Sequence, residues 1–404
     1  CVIGLVFVWV HGRSGVGKSA LLDAFLRARG PEVVVLRGRC YERESVPYKA
    51  VDGLVDELVR QLRTWPSGQL EAVLPDDLGA LARVFPVIAR LLPHAVGPAP
   101  QDPQETRRRA FRALKQLLAA IAARRPLILA IDDLQWGDLD SARLVLELLA
   151  APDPPACLLL ACYRREDRDD SPFLSELARA DAPPQVHDIP VDPLPLAAAE
   201  ALARAHLTAR GDAPDPAVAA AIAAEAEGSP LFVETLVRQR TPAGASVSLD
   251  HALLAALARL DPLAYDLLAL AAVSGQPLAR RLLRAAALTT EGERAALRQL
   301  RARRLLRSRG ADANAPILLY HDRIREVVVR NLAPEIARDL HRRLAAALAH
   351  EPPDPERLAF HCHGAGDLPR AGRHAAAAAE RAFAALAFER AAALLGQALA
   401  WLPT

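Results

Sequence analysis

Apolar positions follow two different patterns along the chain. Up to about residue 195, short leucine-rich or β-branched runs predict strands that are buried in a sheet, at Val2–Val10, Val33–Leu36, Leu127–Asp132, Leu158–Tyr163 and Val186–Ile189. Segments with helical spacing separate these runs, as in the stripe of Phe111, Leu114, Leu118 and Ile121. Strands that alternate with helices predict parallel crossovers and a three-layer α/β sheet. Beyond about residue 196, Ala/Leu/Arg helical patterns dominate and strand signals are few.

A glycine-rich segment follows the first predicted strand and precedes a helical pattern. It matches the phosphate-binding consensus GxxxxGK[ST] and consists of Gly12, Arg13, Ser14, Gly15, Val16, Gly17, Lys18 and Ser19. Between a strand and a helix, such a loop binds phosphate oxygens through its backbone N–H groups and the helix N-terminus. Lys18 then neutralises the terminal phosphates, and Ser19 is placed to hold Mg²⁺. A glycine turn with a chance lysine is the alternative, and the flanking pattern favours a nucleoside triphosphate site.

Two acidic residues end the strand that is predicted at Leu127–Asp132. The carboxyl ends of parallel strands share one edge of a sheet, so these acids are expected beside the phosphate loop. We assign Asp132 to the metal ion and Asp133 to the attacking water. Acids that cap a strand on a solvated loop would give the same local pattern, but the upstream phosphate loop favours the functional interpretation.

The next predicted strand ends in Tyr163-Arg164. An arginine at this edge could contact the γ-phosphate and report whether it is present. The alternative is a solvated arginine on a charged loop.

These motifs together resemble the signal-transducing ATPases with numerous domains (STAND). The resemblance rests on the phosphate loop, the run Asp132-Asp133-Leu134-Gln135-Trp136 and the strand that ends at Arg164. It is strongest to the origin-recognition-like AAA branch of bacterial multidomain regulators. Residues 225–234 are similar to the Gly-x-Pro segment of that family, which implies that Pro230 lies against the adenine. Residues 39–49 resemble the variant found downstream of bacterial serine/threonine kinase domains.

The resemblance implies four parts, whose bounds we place at proline-rich breaks and changes in composition. They are a P-loop ATPase domain at 1–195, a small helical lid at 196–243, a winged-helix domain at 244–332 and a TPR-like helical arm at 333–404.

A His-Asp pair lies where a short strand runs into a helix within residues 316–330. The family resemblance implies that His321 reaches the β-phosphate of ADP and holds a resting state. The alternative is that Asp322 caps the helix and His321 is an ordinary surface or core histidine. The residues themselves leave both interpretations open.

Two further clusters carry no predicted site. The basic cluster Arg301, Arg303, Arg304, Arg307 and Arg309 is interpreted as a solvated face, because the net charge is only +2 and aromatic residues make up 4%. We therefore predict no direct nucleic-acid binding. The run His361-Cys362-His363 has no second ligand pair at zinc spacing, so a helix end before Gly364 is favoured over a metal site.

Composition is consistent with a cytoplasmic protein. The five cysteines are scattered and form no CxxC pair, which indicates reduced thiols. The apolar opening is too short to cross a membrane and lacks a cleavage signature, so neither an anchor nor a signal peptide is predicted. Because the sequence contains no methionine, we expect it to be part of a longer protein.

The first functional prediction is an ATP-binding, slowly ATP-hydrolysing switch that uses ATP/ADP and Mg²⁺, with Asp133 and Arg164 as its catalytic residues. It would belong to a larger bacterial regulator, with a serine/threonine kinase as the fused effector domain and protein partners on the helical arm. One alternative is the ATPase module of a LuxR-type transcription activator. Another is a protein scaffold that binds ATP without hydrolysing it.

Overall fold

The computed structural model describes residues 4–91, 102–180, 185–211, 215–239, 249–287, 291–308 and 312–402. The chain divides into two compact units. Unit 1 consists of Cys1–Gly12, Lys18–Pro190 and Ala375–Ala400, and unit 2 of Arg13–Gly17, Val191–His374 and Trp401–Thr404. The predicted boundary between residues 243 and 244 lies outside the described residues, as do Cys1 and Arg309. The four domain bounds stay a prediction.

The described part of unit 1 contains a parallel sheet of five strands. They are β1 (Val6–Gly12), β2 (Val34–Arg39), β3 (Leu127–Asp132), β4 (Cys157–Arg164) and β5 (Val186–Pro190). Their order is β2-β3-β4-β1-β5. Strand β3 lies inside the sheet and is buried at every position, as expected for a parallel strand that is covered on both faces. The predicted α/β class is confirmed.

Strand β5 differs from its prediction in burial. It pairs in parallel with β1, as the crossover pattern predicts. However, every residue of β5 is exposed, so the prediction of a buried strand at Val186–Ile189 is wrong. An apolar run predicts a strand but not whether other elements cover its faces, and β5 lies uncovered at the sheet edge.

Helices separate the strands of unit 1. They are α1 (Lys18–Arg27), α2 (Lys49–Leu62), α3 (Ser67–Glu71), α4 (Leu78–Val84), α5 (Pro103–Ala122), α6 (Leu139–Leu149) and α7 (Pro172–Arg179). Helix α5 begins where the Asp102 side chain accepts a hydrogen bond from the Gln104 N–H and Pro103 fills the first turn. Its predicted apolar stripe is buried. Helix α6 begins in the same way at Asp138, whose carboxylate accepts from the Ser141 N–H.

Unit 2 is mainly helical in its described part. Its helices are α8 (Leu196–Ala209), α9 (Pro216–Glu225), α10 (Pro230–Gln239), α11 (Leu249–Leu257), α12 (Pro262–Ser274), α13 (Arg280–Ala286), α14 (Glu293–Ala302), α15 (Asp322–Arg330), α16 (Pro334–Leu348) and α17 (Pro355–Gly364). The short strands β6 (Leu278–Ala279), β7 (Leu306–Ser308) and β8 (Pro316–Leu319) form an antiparallel sheet in the order β6-β8-β7. Helices α8 to α10 share one core, and helices α12 to α16 share another with this sheet. The helical region with a winged-helix-like sheet is confirmed.

The chain ends in two helices, α18 (Leu368–Ala384) and α19 (Phe388–Trp401). Their residues 375–400 belong to unit 1, where alanine and leucine side chains join the main core. The Tyr48 hydroxyl donates to the Leu386 carbonyl at 2.7 Å. On α6, the Asp140 carboxylate accepts from the backbone N–H groups of Glu389 and Arg390, at 3.4 and 2.9 Å. Asp140 therefore caps α19 from another part of the chain.

Candidate nucleotide-binding site

Strand register brings the ends of four strands of unit 1 into line. Gly12 at the end of β1 pairs with Arg164 at the end of β4. Arg39 at the end of β2 pairs with Asp132 at the end of β3. Ligands of open α/β sheets bind at this carboxyl edge. The register thus places the predicted acids and the predicted arginine at the edge where the phosphate loop leaves β1.

Lys18 is a buried cation at this edge. Its side chain is largely enclosed (residue exposure 7%), and Nζ donates to the Gly12 carbonyl oxygen at 2.8 Å. Burial lowers the pKa of Lys18, whereas the nearby carboxylates of Asp133 and Glu166 act to raise it. A desolvated ammonium group is stabilised by anions, so the surroundings of Lys18 suit phosphate.

Asp132 and Ser19 form the part of the edge that suits a divalent cation. Asp132 is 1% exposed, and burial, followed by the neighbouring Asp133, raises its pKa. Arg39 and the Ser19 hydroxyl act in the opposite direction. Oδ1 of Asp132 accepts from the Asp133 N–H at 3.1 Å, whereas within the described ranges the buried Oδ2 has no hydrogen-bond partner. A carboxylate oxygen without a partner beside a hydroxyl fits the oxygen ligands that Mg²⁺ takes.

Asp133 has both carboxylate oxygens engaged. Its backbone is left-handed, with φ 54°. Oδ2 lies 2.6 Å from Nη2 of Arg39, and Oδ1 accepts from Nε2 of Gln135 at 3.2 Å. Nε of Arg164 lies 3.9 Å from the same Oδ1. The carboxylate is therefore held at the sheet edge by groups from β2, β4 and the turn that follows β3.

Arg164 lies inside the site. Its residue exposure is 5%, which excludes the alternative of a solvated arginine. Nη1 lies 3.8 Å from the Asp167 carboxylate, and the guanidinium is 6.0 Å from the centre of the Trp136 ring. Its contact with a γ-phosphate stays a prediction.

The glycines of the phosphate loop contact the Gly-x-Pro segment within unit 2. Gly15 and Gly17 have φ of +82° and +104°, values that favour glycine. The Leu231 N–H donates to the Gly15 carbonyl at 3.4 Å, and a Cβ on Gly17 would lie 3.9 Å from Cγ of Pro230. Between these glycines, the Val16 N–H donates to the carbonyl of Arg13. Pro230 thus lies against the loop, and its contact with adenine stays a prediction.

His321 is the N-cap of α15. Its Nδ1 accepts from the Arg323 N–H at 3.0 Å, so the cap comes from His321 and not from Asp322, which is the first residue of the helix. The predicted contact of His321 with a diphosphate stays a prediction.

The two remaining clusters make local contacts within the described part of the chain. In the described part of the chain, no group of three or more His, Cys, Asp or Glu residues could hold a metal ion. His361 is buried with its Nδ1 3.0 Å from Nδ1 of His341, and burial holds its pKa well below the usual range. In the basic cluster, Arg303 donates to the Ala256 carbonyl at 3.3 Å and Arg304 to the Tyr320 hydroxyl at 3.0 Å.

Sequence reasoning missed the roles of Arg39 and Gln135. Arg39 ends a predicted strand, but its contact with Asp133 depends on the β2–β3 register, which no local pattern specifies. Gln135 belongs to the run that carries the family resemblance, two residues after Asp133. A polar residue between Leu134 and Trp136 was the available signal, and the structure shows that it is buried.

The fold and the site define a P-loop ATPase core. Its parallel sheet has a phosphate-binding loop after β1, an acidic pair at the end of β3 and a strand between these two. Residues 4–161 match the family model of the AAA ATPase domain. This part of the chain is therefore similar to AAA ATPase domains.

Two individual proteins are also similar to this chain. Hybrid signal transduction histidine kinase G of Dictyostelium discoideum is 26% identical over 150 residues, which are 35% of this chain and 4% of that protein. The STAND protein with a tetratricopeptide repeat sensor from Pyrococcus horikoshii matches 100% of this chain and 57% of its own, with a TM-score of 0.59 and 14% identity. The chain thus spans less than two thirds of either relative. The second match confirms the predicted STAND resemblance in the fold.

Among the described helices, none combines the length and the apolar character that crossing a bilayer requires.

Proposed function

We propose that the chain is an ATP-binding switch module that hydrolyses ATP slowly within a larger signal-transduction protein. One observation carries this proposal, namely the meeting of Lys18, Ser19, Asp132 and Asp133 at one sheet edge. Lys18 and the loop N–H groups would bind the phosphates of ATP, and Ser19 and Asp132 would hold Mg²⁺. Bound there, Mg²⁺ would neutralise charge on the transferred phosphate.

The contacts of Asp133 support slow turnover. A carboxylate that orients water needs one oxygen available to that water. Asp133 has Oδ2 at 2.6 Å from Arg39 and Oδ1 at 3.2 Å from Gln135, so an attacking water would compete with these partners for the carboxylate. Arg164 is held by carboxylates at 3.8 and 3.9 Å. These ion pairs are long enough to be exchanged for a γ-phosphate.

The switch itself would act through unit 2. This unit contains residues 13–17 of the phosphate loop, Pro230 and His321. A change in the bound nucleotide would therefore change contacts of this unit. If His321 contacts the β-phosphate of ADP, exchange for ATP would weaken that contact and shift the population of conformations.

The relatives support a role in signal transduction, since one is named a signal transduction histidine kinase and the other a signal transduction ATPase with a tetratricopeptide repeat sensor. For this chain we propose a bacterial, cytoplasmic regulator whose effector is a serine/threonine kinase, from the resemblance of residues 39–49. Protein partners would bind the helical arm.

The proposal is tested on the purified chain by identifying the nucleotide that co-purifies and by measuring single-turnover ATP hydrolysis. We expect bound ADP and slow hydrolysis in the wild type, strongly slowed hydrolysis with retained ATP binding in Asp133→Asn, and loss of both ATP binding and hydrolysis in Lys18→Ala. Asp56→Asn removes a carboxylate at an exposed position of α2 and serves as the control. ATP binding without turnover in the wild type would favour the scaffold function, whereas normal ATP affinity in Lys18→Ala would contradict the site.

The resting-state contact has its own test. We expect His321→Ala to release ADP faster than the wild type, and His350→Ala, at an exposed position, to leave the rate unchanged. Stopped-flow release of a fluorescent ADP analogue measures both rates. An unchanged rate in His321→Ala would remove the diphosphate contact and leave only helix capping.

A further inference from the structure

Gln135 links two residues of the site through one amide group. It lies in the 3₁₀ turn Leu134–Trp136, directly after Asp133. Its Nε2 donates to Oδ1 of Asp133 at 3.2 Å, and its Oε1 accepts from the backbone N–H of Arg164 at 3.2 Å. The two contacts fix the orientation of the amide, because a carboxylate only accepts and a backbone N–H only donates.

We propose that Gln135 is a positioning residue for ATP hydrolysis, which acts by fixing the carboxylate plane of Asp133 relative to the end of β4. The inference rests on the proposed function, in which Asp133 orients the attacking water. Arg39 contacts Oδ2 of this carboxylate at 2.6 Å, and Nε of Arg164 lies 3.9 Å from Oδ1, which is beyond hydrogen-bond distance. The Gln135 amide adds a hydrogen bond to Oδ1, and close contacts at both oxygens restrict rotation of the carboxylate about its last side-chain bond more than a close contact at one.

The amide oxygen of Gln135 connects this arrangement to the backbone of a sheet strand. The Arg164 N–H belongs to β4, and the register pairs Arg164 with Gly12, the first residue of the phosphate-binding consensus. Gln135 therefore ties Asp133 to the strand that neighbours the start of the phosphate loop. A displacement of about 1 Å in a reacting group can cost about 100-fold in rate, so a small loss of alignment is measurable.

If Gln135 served packing alone, only the volume of its side chain would matter. An apolar side chain of similar volume, such as methionine, would fill the same space but would offer neither a donor nor an acceptor. If Gln135 only fills space, methionine should be tolerated. If it positions Asp133, methionine should reduce hydrolysis while ATP, which is bound by other residues, keeps its affinity.

The test is a double-mutant cycle on the full chain, with Gln135→Met, Asp133→Asn and the double variant. Single-turnover ATP hydrolysis gives the chemical step, and calorimetry with ATP gives the affinity. We expect Gln135→Met to slow hydrolysis about 10- to 100-fold with little change in Kd. In the Asp133→Asn background the same substitution should have almost no effect, because a residue that acts through Asp133 loses its influence with it.

Two further variants keep the test decisive. Gln135→Glu retains an acceptor for the Arg164 N–H and hence the turn, but it directs a like charge at Asp133, so it should also slow hydrolysis. Gln104→Met, at an exposed position of α5, is the matched control. It should match the wild type in hydrolysis rate and in ATP affinity. Thermal melts establish that each variant is folded.

The outcomes separate this inference from the proposed function. Wild-type hydrolysis rates in Gln135→Met, a loss of ATP affinity as large as the loss of rate, or equal effects in both backgrounds would each overturn the positioning role and leave the ATPase proposal intact. A wild-type chain that binds ATP but never hydrolyses it would overturn both.

Discussion

We expect Asp140→Ala to weaken the attachment of helix α19 to unit 1. Asp140 is fully buried on α6, a helix that begins shortly after the acidic pair of the site. Its carboxylate caps α19 through the N–H groups of Glu389 and Arg390. Arg107 also lies 3.5 Å from this carboxylate and 3.2 Å from that of Glu389. The substitution removes the cap and leaves two partly buried N–H groups without this acceptor.

The expected cost follows from these distances. Hydrogen bonds to a charged group contribute about 1.5–3 kcal/mol each. Only the bond to Arg390, at 2.9 Å, has a good length, and the one to Glu389, at 3.4 Å, is weak. Arg107 keeps Glu389 as a partner, so its charge is not stranded. We therefore expect a loss of about 2–3 kcal/mol, which corresponds to roughly 30- to 150-fold more frequent opening of α19.

Amide hydrogen exchange of residues 388–400 measures this opening. The comparison is made at pH 8, because burial raises the pKa of Asp140 to about 6 and the carboxylate must be ionised to act as a charged cap. Asp56→Ala, an exposed change on α2, is the control. Protection of α19 that is unchanged in Asp140→Ala would refute the idea that this carboxylate holds the helix on unit 1.

Three other predictions concern metal dependence, pH and backbone conformation. Ser19→Ala should abolish the dependence of ATP affinity on Mg²⁺, and a Kd that still responds to Mg²⁺ in calorimetry would contradict its role. Burial raises the pKa of Asp52 to about 7. The protonated carboxyl is thus favoured by folding, and stability is lost as pH rises from about 4 to about 7, by up to about 1.4 kcal/mol per unit. Asp52→Asn should flatten this part of the urea-unfolding profile, and an equal slope in both proteins would argue against it. Gly228→Ala should lower stability by about 2 kcal/mol or more, since φ is +75° and a Cβ would lie 2.4 Å from the Leu194 carbonyl; a wild-type melting temperature would show that the backbone relaxes there.

Much of the AAA domain could be predicted from the sequence because its signals are local. A β-branched run, a glycine loop and a helical pattern occur in one continuous segment, so the loop that carries Lys18 and Ser19 could be identified from neighbouring residues alone. The same holds for Asp132 and Asp133, which end a run that is buried at every position. The error at β5 shows the limit of this reasoning, since hydrophobicity predicts a strand but not whether a helix covers it.

The sequence by itself determined the α/β class, the phosphate loop, the acidic pair and the change to helical modules, because each of these depends on residues close together in the chain. Tertiary structure alone decided what holds Asp133, what caps α19 and that β5 lies at the edge. Those features depend on strand register and on contacts between distant segments, as between Tyr48 and Leu386. Such contacts are chosen by the packing of the whole unit, which leaves no periodic pattern along the chain.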